Sequence, residues 1–393
     1  MRPIVFNGKF YAGSLNGVHR VADRLIHEVD RLLAGMPAEQ RPHATLLLPR
    51  RRCRTPELAA IELRDHAFGH TQIWEQLVLP WKAGGSVLVN LCNLAPLLAR
   101  RRITLLHDAQ FMFTDNSYPA RQRWGHRLLA PAMMRGSACP LTVSHFSRQI
   151  IDVTGICPRD RVSVLPNGAD HMLGAVPAAG VLERWHLKPR GYAVMFGSPK
   201  RYKNVEVVMR AFGQPGLWDT ILVVVGGTEH ELVQAGIKAP ANAVFTGPVS
   251  DGELRTLYQG AICVLMPSRT EGFGLPPVEA MQLGCPSVVA PAGAMPEVCR
   301  DAACYADTDD PAEWVQAVRA LRDNEALRQA KVEAGRARAA DYSWARAGEC
   351  LLGHVLSLAG GDSAALLGKA ITAPASAERA LGASALALAN LVA

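Results

Sequence analysis

The chain has no apolar run long enough to cross a bilayer. Ile221–Val225 stops after five residues, and the longer stretch from Val143 to Ile156 is broken by Ser144, His145, Ser147 and Arg148, against the roughly 20 residues a spanning helix needs. No C-x-x-C pair occurs: the nine cysteines are scattered singly, and the nearest two, Cys299 and Cys304, are five apart. That excludes a zinc ribbon or a dithiol redox site and reads as small buried hydrophobes in a reducing compartment. Also absent are G-x-x-x-x-G-K-[ST], H-E-x-x-H, and a G-x-G-x-x-G that opens a helix after a strand. P-loop, zincin-type and nicotinamide chemistry fall away with them. Aromatic residues are few, at 6%, and do not interleave with basic ones, so a nucleic-acid binder is the weaker reading of the high pI. The N-terminal Met1–Lys9 stretch lacks the apolar core of a secretory signal, and a cytoplasmic location is expected.

What is present is ordinary for a soluble globular chain. Hydrophobic residues make up 49% and charged residues 20% of 393 residues, a length that suits two domains rather than one core. The net charge of +7 is unevenly placed: residues 1–185 carry 23 Lys+Arg against 14 Asp+Glu, and the rest carry 19 against 21. The clusters Arg50-Arg51-Arg52-Arg54 and Arg100-Arg101-Arg102 lie in the basic half. Such asymmetry predicts an anionic partner for that half.

Periodicity predicts an amphipathic helix over 18–34, entered through the glycine-bearing loop Ala12–Gly17. Buried strands are expected at Ala44–Leu48, Ser86–Leu91, Ile103–Leu106 and Leu141–Val143. A second α/β set begins near 190, with strands Tyr192–Phe196, Ile221–Val225, Ala243–Thr246, Ala261–Met266 and Ser287–Ala290. Helices are expected at Val205–Phe212, Asp251–Gln259 and Pro276–Leu283. Strands alternating with helices define parallel-sheet architecture, and Gly174–Gly180 has linker composition. The expected domains are 1–180 and 181–345, followed by 346–393, a helix crossing back and an Ala-rich tail without assignable chemistry.

The most informative segment is Ser268–Met281 (SRTEGFGLPPVEAM). It follows a strand, so its glycines lie outside the strand's C-terminal end, where α/β sheets bind ligands. Gly272 and Gly274 allow backbone N–H groups to approach an anion, and Pro276 and Pro277 suit the first turn of the next helix, whose dipole favours negative charge. Glu271 and Glu279, eight apart, suit two polyol contacts on either side of a diphosphate. The acids Asp307–Asp310 contain a D-x-D, but Pro311 and a helix follow. Asp309 or Asp310 therefore reads as an N-cap rather than a metal ligand.

With these residues in view, the sequence resembles the retaining glycosyltransferases of family 4. Their E-x7-E signature stands as Glu271…Glu279, and further matches follow in order: Leu106-His107-Asp108, Thr142–Ser147, Val164–Asp170, Gly197–Asn204, Val244–Val249 and Tyr342-Ser343-Trp344. The resemblance covers about 13 to 348. It implies a GT-B fold, two Rossmann-like doubly wound domains facing across a cleft, the second holding a nucleotide sugar and the first an acceptor. It implies that Lys203 binds the donor diphosphate with Lys200 or Arg201 assisting, because Tyr202 stands where many relatives have arginine. Glu271 and His107 would act at the transferred sugar. Asn16, Gly17, Gly197, Phe245, Gly272, Phe273, Gly274, Leu275 and Glu279 would contact the donor.

The expected activity is metal-independent transfer of a hexosyl unit from a nucleotide-diphosphate sugar, with retention, in cell-surface polysaccharide synthesis such as lipopolysaccharide or exopolysaccharide. No cofactor is expected, and the donor is a co-substrate. The expected acceptor is an anionic glycan or a polyprenyl-diphosphate-linked glycan, with peripheral association on an anionic membrane surface at its inner face. A GT-B sugar-nucleotide epimerase or a phosphorylase is the alternative enzyme. A non-catalytic nucleic-acid-binding protein is the alternative outside enzymes.

Overall fold

The computed structural model describes residues 1–66, 73–113 and 120–364. The first sheet contains β1 (Ile4–Asn7), β2 (Ala44–Pro49), β3 (Glu62–His66), β4 (Val87–Asn90), β5 (Arg102–Leu106), β6 (Cys139–Thr142) and β7 (Ser163–Val164). Its order is β3-β2-β1-β4-β5-β6-β7, and every pairing is parallel. The second sheet contains β8 (Tyr192–Phe196), β9 (Ile221–Val225), β10 (Ala243–Gly247), β11 (Val264–Met266), β12 (Ser287–Val289) and β13 (Cys304–Tyr305), in the order β10-β9-β8-β11-β12-β13. Each sheet reverses direction at its first strand, between β1 and β4 and between β8 and β11. Ligand crevices open at such reversals, beyond the carboxyl ends of the strands.

The predicted helices form at Gly17–Ala34, Val205–Phe212, Asp251–Gly260 and Leu275–Gln282. The first presents Val21, Leu25, Val29 and Leu33 to the core, as its spacing requires. Asn16 caps it, the side chain accepting from the His19 amide at 2.9 Å. Sequence reading missed β1, β3, β7 and β13. β1 is only four residues long, β3 is a polar edge strand (ELRDH), and β7 and β13 have two residues each. The predicted strand Ala261–Met266 starts later, at Val264. The carbonyls of Ala261 and Ile262 instead accept hydrogen bonds from the buried Arg328.

The segment Gly174–Gly180 is no loose linker. Ala178 donates to the Gly252 carbonyl, and Arg255 donates to the carbonyls of Leu173 and Ala175. After the second sheet, helix Trp344–Ala359 returns to the first domain. A Cβ on Gly348 would strike Glu28, and Arg2 donates its amide to the Ala359 carbonyl. The tail beyond 364 lies outside the described residues. One apolar cluster runs through both domains, joining Phe146 and Leu165 to Phe273, Met295 and Tyr342, so the domains meet over a packed seam.

Candidate functional site

The loop between β11 and helix Leu275–Gln282 is held from three sides. Gly272 lies against the first domain: a Cβ there would come within 2.2 Å of the His107 carbonyl oxygen. The Gly272 carbonyl accepts hydrogen bonds from Ser144 and Ser147 at 2.6 and 3.3 Å. Gly274 has φ +83°, and Met295 fills the space a side chain would need. Gly293 backs onto Glu271, whose carbonyl accepts the Ala294 amide at 3.0 Å. Glu271 is thereby fixed at the lip of the second sheet.

Its carboxylate meets Lys203 Nζ at 2.6 Å. Lys203 belongs to the basic loop after β8, whose chain turns at Asn204 (φ +51°). Asn204 donates from its side chain to the carbonyls of Pro267 and Thr308. The ammonium groups of Lys200 and Lys203 lie 5.9 and 5.4 Å from the Tyr202 ring. Burial raises the Tyr202 pKa, and the charges of Glu271 and Asp108 add to it. Burial also raises the pKa of Asp108, again reinforced by Glu271, while the Gln110 amide, Lys203 and Lys200 act in the opposite sense. Tyr202, which motif matching treated only as a departure, thus sits between the two domains. Lys200 and Arg201 both line a cavity of about 670 Å³ on the flank of the loop, together with Glu206 and Arg269, and Lys200 also lowers the pKa of Asp108 by its charge.

Across the cleft, His107 follows β5 and is buried. Its Nε2 meets the Leu91 carbonyl at 2.8 Å, and its backbone amide donates to the Asn93 side chain. Burial lowers its pKa to about 4, so at neutral pH the ring is neutral. With Nε2–H bonded to a carbonyl, Nδ1 carries the lone pair and is available as a hydrogen-bond acceptor.

Glu279 is buried on the inward side of helix Leu275–Gln282. His171 Nε2 stands 3.2 Å from its Oε1, and Trp344 Nε1 donates to His171 Nδ1 at 3.1 Å. The indole makes Nδ1 the acceptor and so leaves Nε2 as the ring nitrogen beside the carboxylate. The buried Tyr258 lies within electrostatic reach of the same carboxylate. Arg20, from the first domain, lies within its electrostatic reach and grips Asp251 with two hydrogen bonds of 2.6 and 2.7 Å. Sequence reading missed His171, Tyr258 and Arg20. Of these only His171 had a sequence signal, directly after the Val164–Asp170 match.

The other expected donor-contact residues have the following surroundings. Gly197 donates its amide to the Val225 carbonyl and packs against Gly227, so it shapes the loop rather than presenting a free N–H. The Phe245 ring packs on the second domain's core, Phe273 meets Tyr342 edge-on at 5.2 Å, and Leu275 packs into the shared seam; all three side chains act in packing. Asn16 uses its side-chain oxygen as the helix cap, leaving Gly17 with open space around it. Asp310 caps helix Pro311–Asp323 and Asp309 pairs with Arg269, as the N-cap reading expected. Of the arginine clusters, Arg102 is buried and donates to the carbonyls of Leu97, Ala99, Ala132 and Met133, while Arg52 pairs with Asp65. Neither is a free surface charge.

This arrangement is that of the GT-B fold, shared with many solved structures. Sucrose-phosphate synthase from Thermosynechococcus elongatus superposes with a TM-score of 0.68 at 15% identity, covering 89% of this chain and 97% of that one. WaaG, a glycosyltransferase involved in lipopolysaccharide biosynthesis, gives 0.66 at 16%, covering 91% and 100%. Anabaena HepE in complex with UDP and glucose gives 0.66 at 14%, covering 90% and 98%.

In sequence, residues 186–338 match the family described as Glycosyl transferases group 1. O-antigen chain mannosyltransferase B of Escherichia coli is 28% identical over 267 residues, 62% of this chain and 67% of that one. The D-inositol 3-phosphate glycosyltransferase of Acidothermus cellulolyticus is 29% identical over 250 residues, 58% of this chain and 55% of that one. The chain thus spans roughly half to two thirds of the length of the curated relatives it matches.

Proposed function

We propose that the protein is a retaining glycosyltransferase that moves a hexosyl unit from a nucleoside-diphosphate sugar to a glycan or lipid-linked acceptor in cell-surface polysaccharide synthesis. The observation that carries the reading is the Lys203–Glu271 pair at the β8/β11 crevice, facing the neutral His107 across the cleft. In the structure the two charges satisfy each other. A bound diphosphate would take Lys203, with Lys200 or Arg201 as the second cation, and free Glu271 to accept sugar hydroxyls. His107 Nδ1 would accept a further hydroxyl and so orient the ring.

As the bond from the anomeric carbon to the phosphate oxygen breaks, the acceptor oxygen bonds to that carbon on the same face, and its proton passes to the departing phosphate. Charge growing on the leaving oxygen is met by fixed cations rather than a metal, which makes Lys203 an element of transition-state stabilisation. The matches to O-antigen mannosyltransferases and the fold shared with WaaG support the polysaccharide setting.

Thermal shift with UDP, GDP, ADP and their sugar conjugates identifies the donor. A nucleotide at about 100 times its dissociation constant should add roughly 2.7 kcal/mol of stability. With that donor, Lys203→Ala should lower turnover by about 100-fold or more while donor affinity falls less, and wild type should stay active in EDTA. Loss of activity in EDTA with rescue by Mg²⁺ or Mn²⁺, together with normal turnover in Lys203→Ala, would overturn the metal-free mechanism.

A further inference from the structure

Three neighbouring segments cover one face of the first sheet: the helical stretch 74–83, the β4–β5 connection 91–101, and helix Ala120–Arg135. They are tied together by hydrogen bonds. Gln76 exchanges bonds with the backbone of Ala95 and Leu97. Arg102, on β5, reaches the carbonyls of Leu97 and Ala99 on one side and Met133 on the other. Beneath them, Trp74, Leu79 and Ala83 pack on Val5, Leu47 and Leu88 of the sheet.

Their outer side is apolar where a water-facing surface should be polar. Leu77, Trp81, Leu98, Trp124 and Leu128 are each between 59% and 74% exposed. Leu77 and Trp81, like Trp124 and Leu128, are four apart on a helix and so share a side. The same segments are almost free of acid. Between Ile73 and Arg101, and between Ala120 and Arg135, the only acid is Glu75, which is buried against Lys9. Lys82, Arg100 and Arg101 are exposed, and Lys82 Nζ lies 4.8 Å from the Trp81 ring.

We propose that this face docks on an anionic lipid bilayer. Leucine and tryptophan side chains flanked by exposed cations, with no exposed acid among the described residues of these segments, match the interfacial zone of such a bilayer, where tryptophan sits at the headgroup level and arginine and lysine meet phosphates. A protein partner of mixed charge would leave the one-signed rim unexplained. The proposal rests on the glycosyltransferase reading for its purpose, because the same face reaches the cleft. Arg127 of helix Ala120–Arg135 donates to the carbonyls of Phe111 and Met112, and His126 stacks on Phe111 at 5.3 Å. The chain between His107 and Phe113 is thus anchored to the docking helix, which would present a lipid-linked acceptor's head to His107. Of the two arginine clusters in the basic half, the face includes Arg100 and Arg101 and not Arg50–Arg52.

The test is flotation of the full chain with vesicles of phosphatidylethanolamine and phosphatidylglycerol, and with phosphatidylcholine alone. Wild type should float with the anionic vesicles only. Trp81→Ser/Leu98→Ser/Leu128→Ser should reduce binding by roughly tenfold or more, and Arg100→Ser/Arg101→Ser by roughly thirtyfold. Arg50→Ser/Arg51→Ser should bind as wild type does. Each variant should keep the wild-type nucleotide thermal shift, which reports the donor site independently of lipid and would fail separately if the functional reading were wrong. Wild type that ignores anionic vesicles, or apolar and basic variants that float unchanged, would overturn the proposal. So would sedimentation showing that the apolar substitutions split a dimer without altering flotation, because the face would then join two copies of the chain.

Discussion

At the residue scale, the buried carboxylate of Glu279 depends on a neighbour that fixes its geometry. Trp344 donates to His171 Nδ1, which leaves Nε2 on the side of Glu279, 3.2 Å from its carboxylate. If Glu279 holds the donor's ribose, its contact exists before and during transfer. Glu279→Ala should therefore weaken donor binding by roughly 10- to 150-fold, the range of a charge-assisted hydrogen bond. His171 acts through Glu279. His171→Phe should raise the donor KM while leaving kcat nearly unchanged, and His171→Gln, whose amide can restore a donor to the carboxylate, should recover part of the loss. Equal falls in kcat and KM effects for Phe and Gln, or a donor KM untouched by either, would remove this assignment. Glu271 and Lys203 were legible because charged residues in a glycine-rich loop and a basic turn advertise themselves. Tyr258 and Arg20 were not, because nothing in their immediate neighbours distinguishes a ligand-facing group from a packed one, and His171 had only its place directly after the Val164–Asp170 match.

At the scale of elements, Thr142–Ser147 joins the domains rather than binding substrate. Ser144 caps helix His145–Val153 by accepting the Ser147 amide, and it also donates to the Gly272 carbonyl across the seam. Glu297 of the second domain accepts the amides of His145 and Phe146 at 2.9 and 2.8 Å, placing its carboxylate on the N-terminus of a first-domain helix. Both the unmet N–H groups and the helix dipole favour a negative charge there. Glu297→Ala should lower stability by about 1–2 kcal/mol, and Glu297→Gln should recover less than half, since the amide restores an acceptor but not the charge. Urea denaturation gives both values. A Glu297→Ala variant as stable as wild type would show that the contact does not hold the domains together.

For the whole molecule, Arg20 of the first domain and Asp251 of the second bridge the two domains. Burial alone would raise the Asp251 pKa, but the hydrogen bonds and charge of Arg20 outweigh it and leave the carboxyl below its usual range. A depressed folded-state pKa means that the pair's contribution is complete above the ordinary carboxylate pKa. It is lost only as pH falls through the lowered value, so closure should be insensitive to pH through the neutral and mildly acidic range. A partly buried, two-bonded pair is worth about 1–3 kcal/mol. Arg20→Ala should lower stability by about that amount and raise the donor KM at pH 7, and small-angle scattering should show a wider particle. An unchanged scattering profile with an unchanged KM would place the pair outside domain closure.

The sequence by itself determined the parts whose causes are local. Tyr192–Phe196, Ile221–Val225 and Val205–Phe212 form as read, because buried parallel strands need unbroken apolar runs and an amphipathic helix needs its period, and both are carried by adjacent residues. Asp310 caps its helix two residues away. Order along the chain was likewise enough to find the Glu271 loop and the Lys203 turn. Only the tertiary structure decided which groups meet. Arg20 and Asp251 are 231 residues apart, Trp344 and His171 are 173 apart, and Lys203 and Glu271 are 68 apart. Those meetings follow from strand order and from the helix that returns to the first domain, and no local preference encodes the distance between residues so far apart in the chain. The same holds for surface and burial. Arg100 and Arg102 read alike in sequence, yet one lies in water and the other is bound to four carbonyls under the sheet, because Arg102 opens β5 and is packed beneath the β4–β5 connection and helix Ala120–Arg135, whereas Arg100 lies in the connection itself.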